Sequence, residues 1–559
     1  MPKPLLMTRL AGTQAEMGAQ HGRLVADDAV RLFEFYRAMP ERVLAGDGGA
    51  PLKWVARQIA SAWQTRLVRE RKAEDADRTA AFIEAVRAKF PDRVIVRPER
   101  ALATMDVLQN CIARVARLSI GPFAHAVSER AVPAAMPACS TAIAWGSATE
   151  DGELLFARNF DFPGVGVWDA APAFVACAPD RGQRYGFFAT RGADTCVVTV
   201  VNEAGLVIAP HTRWHRDVTW GGAMIVDVVH DIARRAETLE DAIRIAKERP
   251  ISSSWGLAIG SGREKSAIVI EVAGPHVEIV RPTPGAEFLV CANRYRSSIQ
   301  RGQFAASTAW SEHPERRERR LRKLVEERAA PLTARDLARF LGDRDDAGIY
   351  RRMGATLSQT CNVHCAVVKP LARTAWVGVD DAPSCLGKFA RMTWTYDGPV
   401  GSWELGAADG STSSGFDAEV LPEFGAPRDE ATRHAHDAIR AHDNDHDIPA
   451  SRAAIERAIT AAPDDPSLRL AGLWLALADG APDRAVAHAH AGLAKETESL
   501  RRGQLLLWGA RAAQKLDSTQ ATTWFAELDR LSGVDDLQRA AKRPFRGRPH
   551  LNLTMVDAF

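Results

Sequence analysis

The stretch from residue 140 to residue 281 most limits how this chain can fold, because its apolar residues form short strand-like runs joined by glycine-containing turns. TAIAWGS and ELLFARNF flank the turn at residues 149–152, and TCVVTVV and LVIAPHT flank the turn at residues 202–205. A glycine ends each turn and supplies the positive φ that a hairpin needs. The pattern predicts hairpins of an antiparallel sheet.

Helices are predicted around this sheet. Residues 1–138 are rich in Ala, Arg and Glu, with apolar residues at i, i+3 and i+4, and are predicted to be mainly helical. Two further helical stretches lie near residues 222–236 and 239–248, and strand-like runs follow them. The basic run ERRERRLRKLVEER predicts a later amphipathic helix with Leu321 and Leu324 facing inward. Strands, a helix pair and more strands together indicate layered α+β packing.

A change in composition marks a domain boundary. Residues 406–430 are predicted to be a linker because they are rich in Gly, Ser, Asp and Pro, which leaves residues 139–405 as the core. Residues 431–559 are predicted to be a helical domain. Within it, SLRLAGLWLALADG at Ser467 is echoed 32 residues later at Ser499, close to the ~34-residue period of tetratricopeptide (TPR) repeats. An ordinary small helical bundle is the alternative.

The charge and cysteine content exclude several kinds of partner. The chain has 72 Lys and Arg against 70 Asp and Glu, so no net field attracts nucleic acid or anionic lipid. Without an evident leader or membrane span, a cytoplasmic location is expected. The eight cysteines are scattered and are expected to be reduced thiols. The closest pair, Cys361 and Cys365, lacks a second ligand pair, so we expect no metal and no other cofactor.

The first predicted hairpin brings chemically useful side chains together. Cys139 begins its first strand, and Arg158 and Asp161 end its second strand. Antiparallel pairing returns these two residues to the neighbourhood of Cys139, so a guanidinium and a carboxylate can flank one thiol. From the residues alone, two interpretations stay open: a catalytic site, or a core cysteine beside an ordinary ion pair.

These motifs resemble a known enzyme family. Cys139-x-Thr141, a glycine-containing turn and Arg158-Asn-Phe-Asp161 resemble the cysteine N-terminal-nucleophile enzymes, specifically the acyl-coenzyme A:6-aminopenicillanic acid acyltransferase family, which is related to the choloylglycine hydrolases. The run GTQAEMGAQHG, which ends at Gly22, resembles the propeptide motif of that family. The resemblance covers roughly residues 8–395 and leaves the C-terminal region outside.

Three further segments follow the family's order, and one position departs from it. Residues 202–206 (NEAGL) resemble a family hairpin, Asn293 at a strand end resembles its oxyanion asparagine, and RERRL resembles its Arg-x-x-Arg helix. Arg317 fits the phase of that helix, although residues 316, 319 and 320 are arginines too. Self-processing relatives commonly carry glycine before the nucleophile, where this chain has Ala138.

The resemblance implies both a fold and a maturation step. The implied fold is α+β, a four-layer αββα N-terminal-nucleophile hydrolase sandwich followed by a C-terminal α-helical, repeat-like domain. The implied step is an attack of the Cys139 thiolate on the Ala138 carbonyl, an N-to-S shift and hydrolysis. Cys139 would then be a new N-terminus, whose α-amine has an ordinary pKa of about 7.7–8.0 and can act as the general base.

The resemblance also implies a role for each site residue. Cys139 attacks an amide or thioester carbonyl and carries the acyl group. Asp161 orients the α-amine, and Asn293 donates to the oxyanion. Arg158 favours the thiolate and helps to select a polar or anionic substrate group. Thr141 either hydrogen-bonds within the site or is an ordinary strand threonine.

The substrate implied by the resemblance is a small-molecule acyl amide or acyl thioester. Whether water or an amine accepts the acyl group is left open. One alternative is an inactive enzyme-like scaffold that binds a protein partner through the C-terminal helices. Another is an uncut enzyme that uses Cys139 with a nearby histidine.

Overall fold

The computed structural model describes two sheets surrounded by helices. The described residues are 3–45, 50–92, 98–117, 138–217, 219–304, 307–344, 353–405, 415–543, 545 and 552–558. Their strands are β1 Leu5–Gly12, β2 Ala138–Ala144, β3 Leu155–Asp161, β4 Pro172–Pro179, β5 Tyr185–Thr190, β6 Thr199–Asn202, β7 Leu206–Thr212, β8 Ser254–Ser261, β9 Ser266–Ala273, β10 His276–Val280, β11 Phe288–Cys291, β12 Asn362–Lys369, β13 Thr374–Gly378, β14 Phe389–Thr393, β15 Gly401–Leu405 and β16 Asp417–Leu421.

The strands divide between a nine-stranded and a seven-stranded sheet. The larger sheet has the order β10-β9-β8-β7-β6-β5-β4-β1-β15, and the smaller has the order β11-β2-β3-β12-β13-β14-β16. Strands β1 and β4 are parallel, whereas the two strands of each predicted hairpin, β2–β3 and β6–β7, are antiparallel. Gly152 and Gly205 have φ of 70° and 86° in the two hairpin turns, as the sequence predicts.

Helices cover the outer faces of both sheets. Seven lie on the side of the larger sheet: α1 Gln14–Leu24, α2 Ala26–Ala45, α3 Ala50–Arg69, α4 Ala73–Lys89, α5 Thr104–Arg117, α6 Ile225–Arg235 and α7 Leu239–Lys247. Two pack on the smaller sheet, α8 Thr308–Glu326 and α9 Ala334–Leu341. Between the sheets, Phe156 of the smaller one shares a buried cluster with Phe174 and Phe188 of the larger. The predicted four-layer αββα arrangement is therefore confirmed.

The N-terminal segment is built into the larger sheet. It was predicted to be mainly helical, but its strand β1 lies between β4 and β15. Helix α1 packs closely on α4, because a Cβ at Gly18 would overlap the carbonyl oxygen of Arg78 and one at Gly22 would lie 2.5 Å from that of Phe82. The two glycines of this motif therefore permit a close helix contact.

The predicted linker at residues 406–430 needs a correction. Residues 406–414 lie outside the described part, but Asp417–Leu421 pairs with β14 as an edge strand of the smaller sheet. The sheet thus extends past residue 405, the predicted end of the core. Because only five residues form this strand and turn-like residues surround it, composition alone conceals it.

Seven helices follow the sheets: α10 Glu430–Asp443, α11 Ile448–Ala461, α12 Pro466–Ala478, α13 Pro482–Leu493, α14 Ser499–Gln514, α15 Gln520–Leu528 and α16 Asp535–Ala541. The echoed sequences begin at Ser467 and Ser499 in the first turns of α12 and α14 and run through most of each helix. Asp536 accepts hydrogen bonds from the Thr308 backbone nitrogen (2.9 Å) and hydroxyl (2.6 Å), which joins this region to α8. Among the described residues, no helix combines the length and apolarity needed to span a bilayer.

Candidate active site

Cys139 lies at the second position of β2, where its side chain is 1% exposed. The register with β3 places Cys139 opposite Phe160, and Thr141 opposite Arg158. Since cross-strand partners share a face, these four side chains project from one side of the sheet. Asp161 pairs with Ala138 and therefore projects from the other side.

The Cys139 thiol has a guanidinium beside it. Arg158 Nη2 lies 3.2 Å from Sγ and also donates to the carbonyl oxygen of Pro210. Burial raises the pKa of the Cys139 thiol, and the positive charge of Arg158 opposes that rise. The thiol is therefore protonated at neutral pH and needs a base before it can act as a nucleophile.

Arg317 contacts the backbone of the same cysteine. Its Nη1 donates to the Cys139 carbonyl oxygen (2.9 Å) and to Ser140 Oγ (3.1 Å), and its side chain is buried. On the same helix, Arg316 instead pairs with Glu498, and Arg320 pairs with Asp343. Of the arginines that compete in the sequence motif, Arg317 is the one that these contacts bring to Cys139.

Asn293, just beyond β11, holds the backbone nitrogen of Cys139. Its Oδ1 accepts from Cys139 N at 2.7 Å and from Arg317 Nη2 at 3.2 Å. Its Nδ2 donates to the Thr212 carbonyl oxygen at 2.9 Å. The resemblance implies that Asn293 donates to the oxyanion. One hydrogen of Nδ2 is used by Thr212, so the other is the donor that this role would need.

Asp161 is a buried carboxylate held by two amides. Asn362 Nδ2 donates to its Oδ1 and Gln359 Nε2 to its Oδ2, each at 2.8 Å. Burial raises the pKa of Asp161 to about 7, against the lowering effects of Arg317 and the hydrogen bond from Asn362. Gln359 and Asn362 were not predicted, because isolated amides give no sequence signal until β12 pairs with β3 and places Asn362 opposite Asp161.

Thr141 bonds a histidine rather than the thiol. Its Oγ1 lies 2.9 Å from Nε2 of His211, a buried residue of β7. Burial, together with Arg158 and neighbouring arginines, lowers the pKa of His211 well below its ordinary value, so the ring is neutral. The hydroxyl thus connects the two sheets beneath Cys139.

An apolar pocket opens beside Cys139. Helices of the N-terminal segment form part of its wall, with Leu32 and Tyr36 from α2, and Phe82 from α4. The core supplies the opposite wall: Phe160, Phe162, Trp168, Val197, Pro210 and Trp255. A lining of this apolar character suits an apolar ligand group.

One group in the described part of the chain has metal-like spacing. Asp169, Asp381 and His436 bring their ligand atoms within 4.8 Å of one another. Lys3 Nζ already lies 2.7 Å from Asp381 and 3.3 Å from Asp169, so its ammonium supplies the positive charge that these carboxylates need.

Comparison with known proteins supports the sequence resemblance. Residues 147–383 match the model of the family described as acyl-coenzyme A:6-aminopenicillanic acid acyl-transferase. An uncharacterised protein of Archaeoglobus fulgidus is 28% identical over 142 residues, which are 24% of this chain and 23% of that relative's length.

Two solved structures show weaker likeness. An N-acylethanolamine-hydrolysing acid amidase orthologue of Caenorhabditis elegans is 12% identical, covering 42% of this chain and 93% of its own, with a TM-score of 0.31. A variant of conjugated bile acid hydrolase from Clostridium perfringens is 11% identical, covering 52% of this chain and 99% of its own, also with a TM-score of 0.31.

The family match includes four of the predicted site residues. Arg158, Asp161, Asn293 and Arg317 lie inside the matched range, whereas Cys139 lies just before it. The matched range carries most of the strands of both sheets and the two helices on the smaller sheet. Residues 147–383 are therefore similar to the acyl-coenzyme A:6-aminopenicillanic acid acyl-transferase family, and they lie within the αββα layers of this chain.

Proposed function

We propose that this chain is a self-processing cysteine amidohydrolase or acyltransferase that acts on small molecules with an apolar acyl group. The observation that carries the proposal is the set of contacts around Cys139. Arg158 lies at its sulfur, Asn293 at its nitrogen and Arg317 at its carbonyl oxygen. A cysteine of the core needs no such contacts, but a residue that must act through both its thiol and its amine does.

Maturation begins with an attack of the Cys139 sulfur on the Ala138 carbonyl carbon. The sulfur forms a thioester as the peptide C–N bond breaks, and the released nitrogen takes up the thiol proton. Water then hydrolyses the thioester, so that Ala138 ends in a carboxylate and Cys139 begins a new chain. Asn293 Oδ1 lies at the nitrogen that becomes the α-amine, and this contact supports its retention as an acceptor for the amine.

The mature site divides the work of acyl transfer. The α-amine accepts the thiol proton, the thiolate attacks the substrate carbonyl, and the protonated amine then gives its proton to the leaving nitrogen. The second hydrogen of Asn293 Nδ2 donates to the oxyanion. Asp161 is proposed to orient the amine, because its partner across the strand pair, Ala138, directly precedes that nitrogen. Water or an amine then takes the acyl group from sulfur.

The pocket supports an apolar acyl group as the part of the substrate that stays on the enzyme. Phe160, Phe162 and Trp168 lie beside Cys139 and offer a largely apolar wall. The N-terminal segment supplies another wall and is held by β1, which pairs with β4 and the edge strand β15 of the larger sheet. We therefore expect the segment to remain bound after cleavage, because its removal would open both the sheet and the pocket.

The experiment is acyl trapping on the mature protein. A series of n-acyl p-nitroanilides and p-nitrophenyl thioesters is offered to the wild type, and intact mass is recorded after rapid acid quenching. The proposal expects release of the chromophore and a mass increase of one acyl group on the fragment beginning at Cys139. Cys139→Ala is expected to lose both signals. An unchanged acyl signal in Cys139→Ala would overturn the proposal.

A further inference from the structure

The apolar pocket adjoins a second, smaller cavity whose lining is charged. Side chains of Thr79, Leu102, Asp194, Thr195 and Val226 line both spaces, whereas Cys139 lines the apolar one only. Building on the proposed function, we propose that this cavity binds the far end of the acyl group and that this end carries an ammonium group.

The two guanidinium groups in the lining already have partners. Arg71 Nε lies 3.1 Å from both oxygens of Asp227, and its Nη2 lies 2.8 Å from Oδ1. Arg78 contacts Asp194 through Nε at 2.9 Å and Nη2 at 2.6 Å. Each arginine already makes a bidentate pair with an aspartate, so neither can present the same two N–H donors to an incoming carboxylate.

The third carboxylate of the lining, Asp75, has a vacant acceptor. Its Oδ1 accepts from Nδ1 of His230 at 2.7 Å, and Nε2 of that ring lies 2.7 Å from the Tyr185 hydroxyl. Burial lowers the pKa of His230, so the ring is neutral and adds no positive charge. Asp75 Oδ2 is buried and has no hydrogen-bond partner among the described residues.

A second acceptor lies in the same lining. Within the described part of the chain, Thr195 Oγ1 is buried and has no hydrogen-bond partner either. Thr195 lines both cavities, so it lies at the boundary between the apolar lining and the charged lining. An ammonium group carries three donors and no acceptor, which suits a space that offers a carboxylate oxygen and a hydroxyl.

The charge balance favours a cation over a neutral donor. The lining holds the carboxylates of Asp75, Asp194 and Asp227 and the guanidiniums of Arg71 and Arg78, which leaves one negative charge. Just outside it, Arg234 contacts Glu74 and Asp231, Lys72 contacts Asp231, and His21 contacts Asp194 of the lining. A buried carboxylate is stabilised by a hydrogen-bonded cation, whereas a substrate carboxylate here would be repelled.

The test uses pairs of acyl p-nitroanilides of equal length that end in either a methyl or a primary ammonium group. Over a series of lengths, the mature wild type is expected to prefer the ammonium-ended member of one pair by about 10- to 100-fold in kcat/KM, as for a hydrogen bond to a charged group. Asp75→Asn is expected to bring this ratio close to one. Asp231→Asn, which changes a nearby carboxylate outside the lining, is the matched control and is expected to keep the ratio.

The outcomes separate this inference from the proposed function. If neither member of any pair is hydrolysed or transferred by the wild type, the proposed function fails. If methyl-ended substrates react and ammonium-ended ones are no better at any length, the subsite is overturned. Should Asp75→Asn fail to fold, Thr195→Val removes the second acceptor with little change of shape. It is expected to lower the ratio several-fold, and an unchanged ratio would contradict the subsite.

Discussion

Arg317 Nη1 donates to the carbonyl oxygen of Cys139 across 2.9 Å. The same guanidinium contacts Asn293 Oδ1, which accepts the hydrogen of the Cys139 backbone nitrogen. One arginine on α8 therefore fixes both the carbonyl and, through Asn293, the nitrogen of the proposed nucleophile. The proposed cleavage and acyl transfer would therefore depend on the position of α8 on the smaller sheet.

Arg317→Met is expected to slow cleavage at Ala138–Cys139 by about 100-fold or more, a loss comparable to that of one oxyanion donor. The reason is that the Cys139 carbonyl oxygen and Asn293 both lose their contact with the Arg317 guanidinium. Asp161 also loses a nearby positive charge. Time courses of cleavage after cell-free synthesis would measure the effect. Arg316→Met is the matched control, because Arg316 pairs only with Glu312 and Glu498 among the described residues and is expected to process normally. Equal rates for the two variants would contradict this role of Arg317.

Cleavage is expected to accelerate with pH. Burial raises the pKa of the Cys139 thiol, so a neutral solution has a pH below that pKa. In this range the thiolate fraction rises about tenfold for each pH unit. Freshly synthesised chain transferred to buffers from about pH 6 to pH 9 should therefore process faster at each step. A cleavage rate that does not change over this range would exclude thiolate attack as the limiting step.

The stability of the uncut chain is expected to fall as pH rises from about 4 to about 7 on account of Asp161. Its pKa is raised from 3.8 to about 7 by burial, so the folded state keeps a proton that the unfolded state has lost over this window. Urea unfolding of Cys139→Ala is compared with Cys139→Ala/Asp161→Asn at each pH. The difference in unfolding free energy should change by up to about 4 kcal/mol and level off above pH 7. A constant difference would show that Asp161 ionises normally in the fold.

Part of this site follows from local sequence. The turn at residues 149–152 fixes the register of the hairpin, and so Arg158 reaches Cys139 as the strand pattern predicts. The amides that hold Asp161 cannot be predicted from local sequence. Gln359 and Asn362 lie about 200 residues later in the chain and are brought to Asp161 by the pairing of β12 with β3. Sequence also places Asn293 at the site but cannot assign which end of its amide faces the cysteine nitrogen.

The charged cavity shows a similar limit. Asp75 is one acid in an Ala/Arg/Glu-rich helix, and nothing in its local sequence distinguishes it from a solvated residue. It is buried because His230, 155 residues away on α6, packs against it. Long-range packing, which local periodicity does not encode, creates this part of the site.

The C-terminal residues are expected to affect the site through α8. Asp557 Oδ2 accepts from Gly354 N at 2.8 Å, and Gly354 packs against His313, one turn before Arg317. Asp557→Ala should slow cleavage about tenfold, because small displacements of site groups are costly in rate. Asp443→Ala is the control, since Asp443 anchors the same tail through Leu553 and Thr554. If both variants lose stability equally and neither slows cleavage, the tail has no part in positioning Arg317.

We propose above all that Cys139 cleaves its own chain and becomes an N-terminal nucleophile. Intact mass spectrometry of freshly purified wild type beside Cys139→Ala tests it most directly. We expect two fragments in the wild type, residues 1–138 and 139–559, and one uncut chain in the variant. A single uncut chain of 559 residues in both proteins would remove the α-amine base and contradict the account.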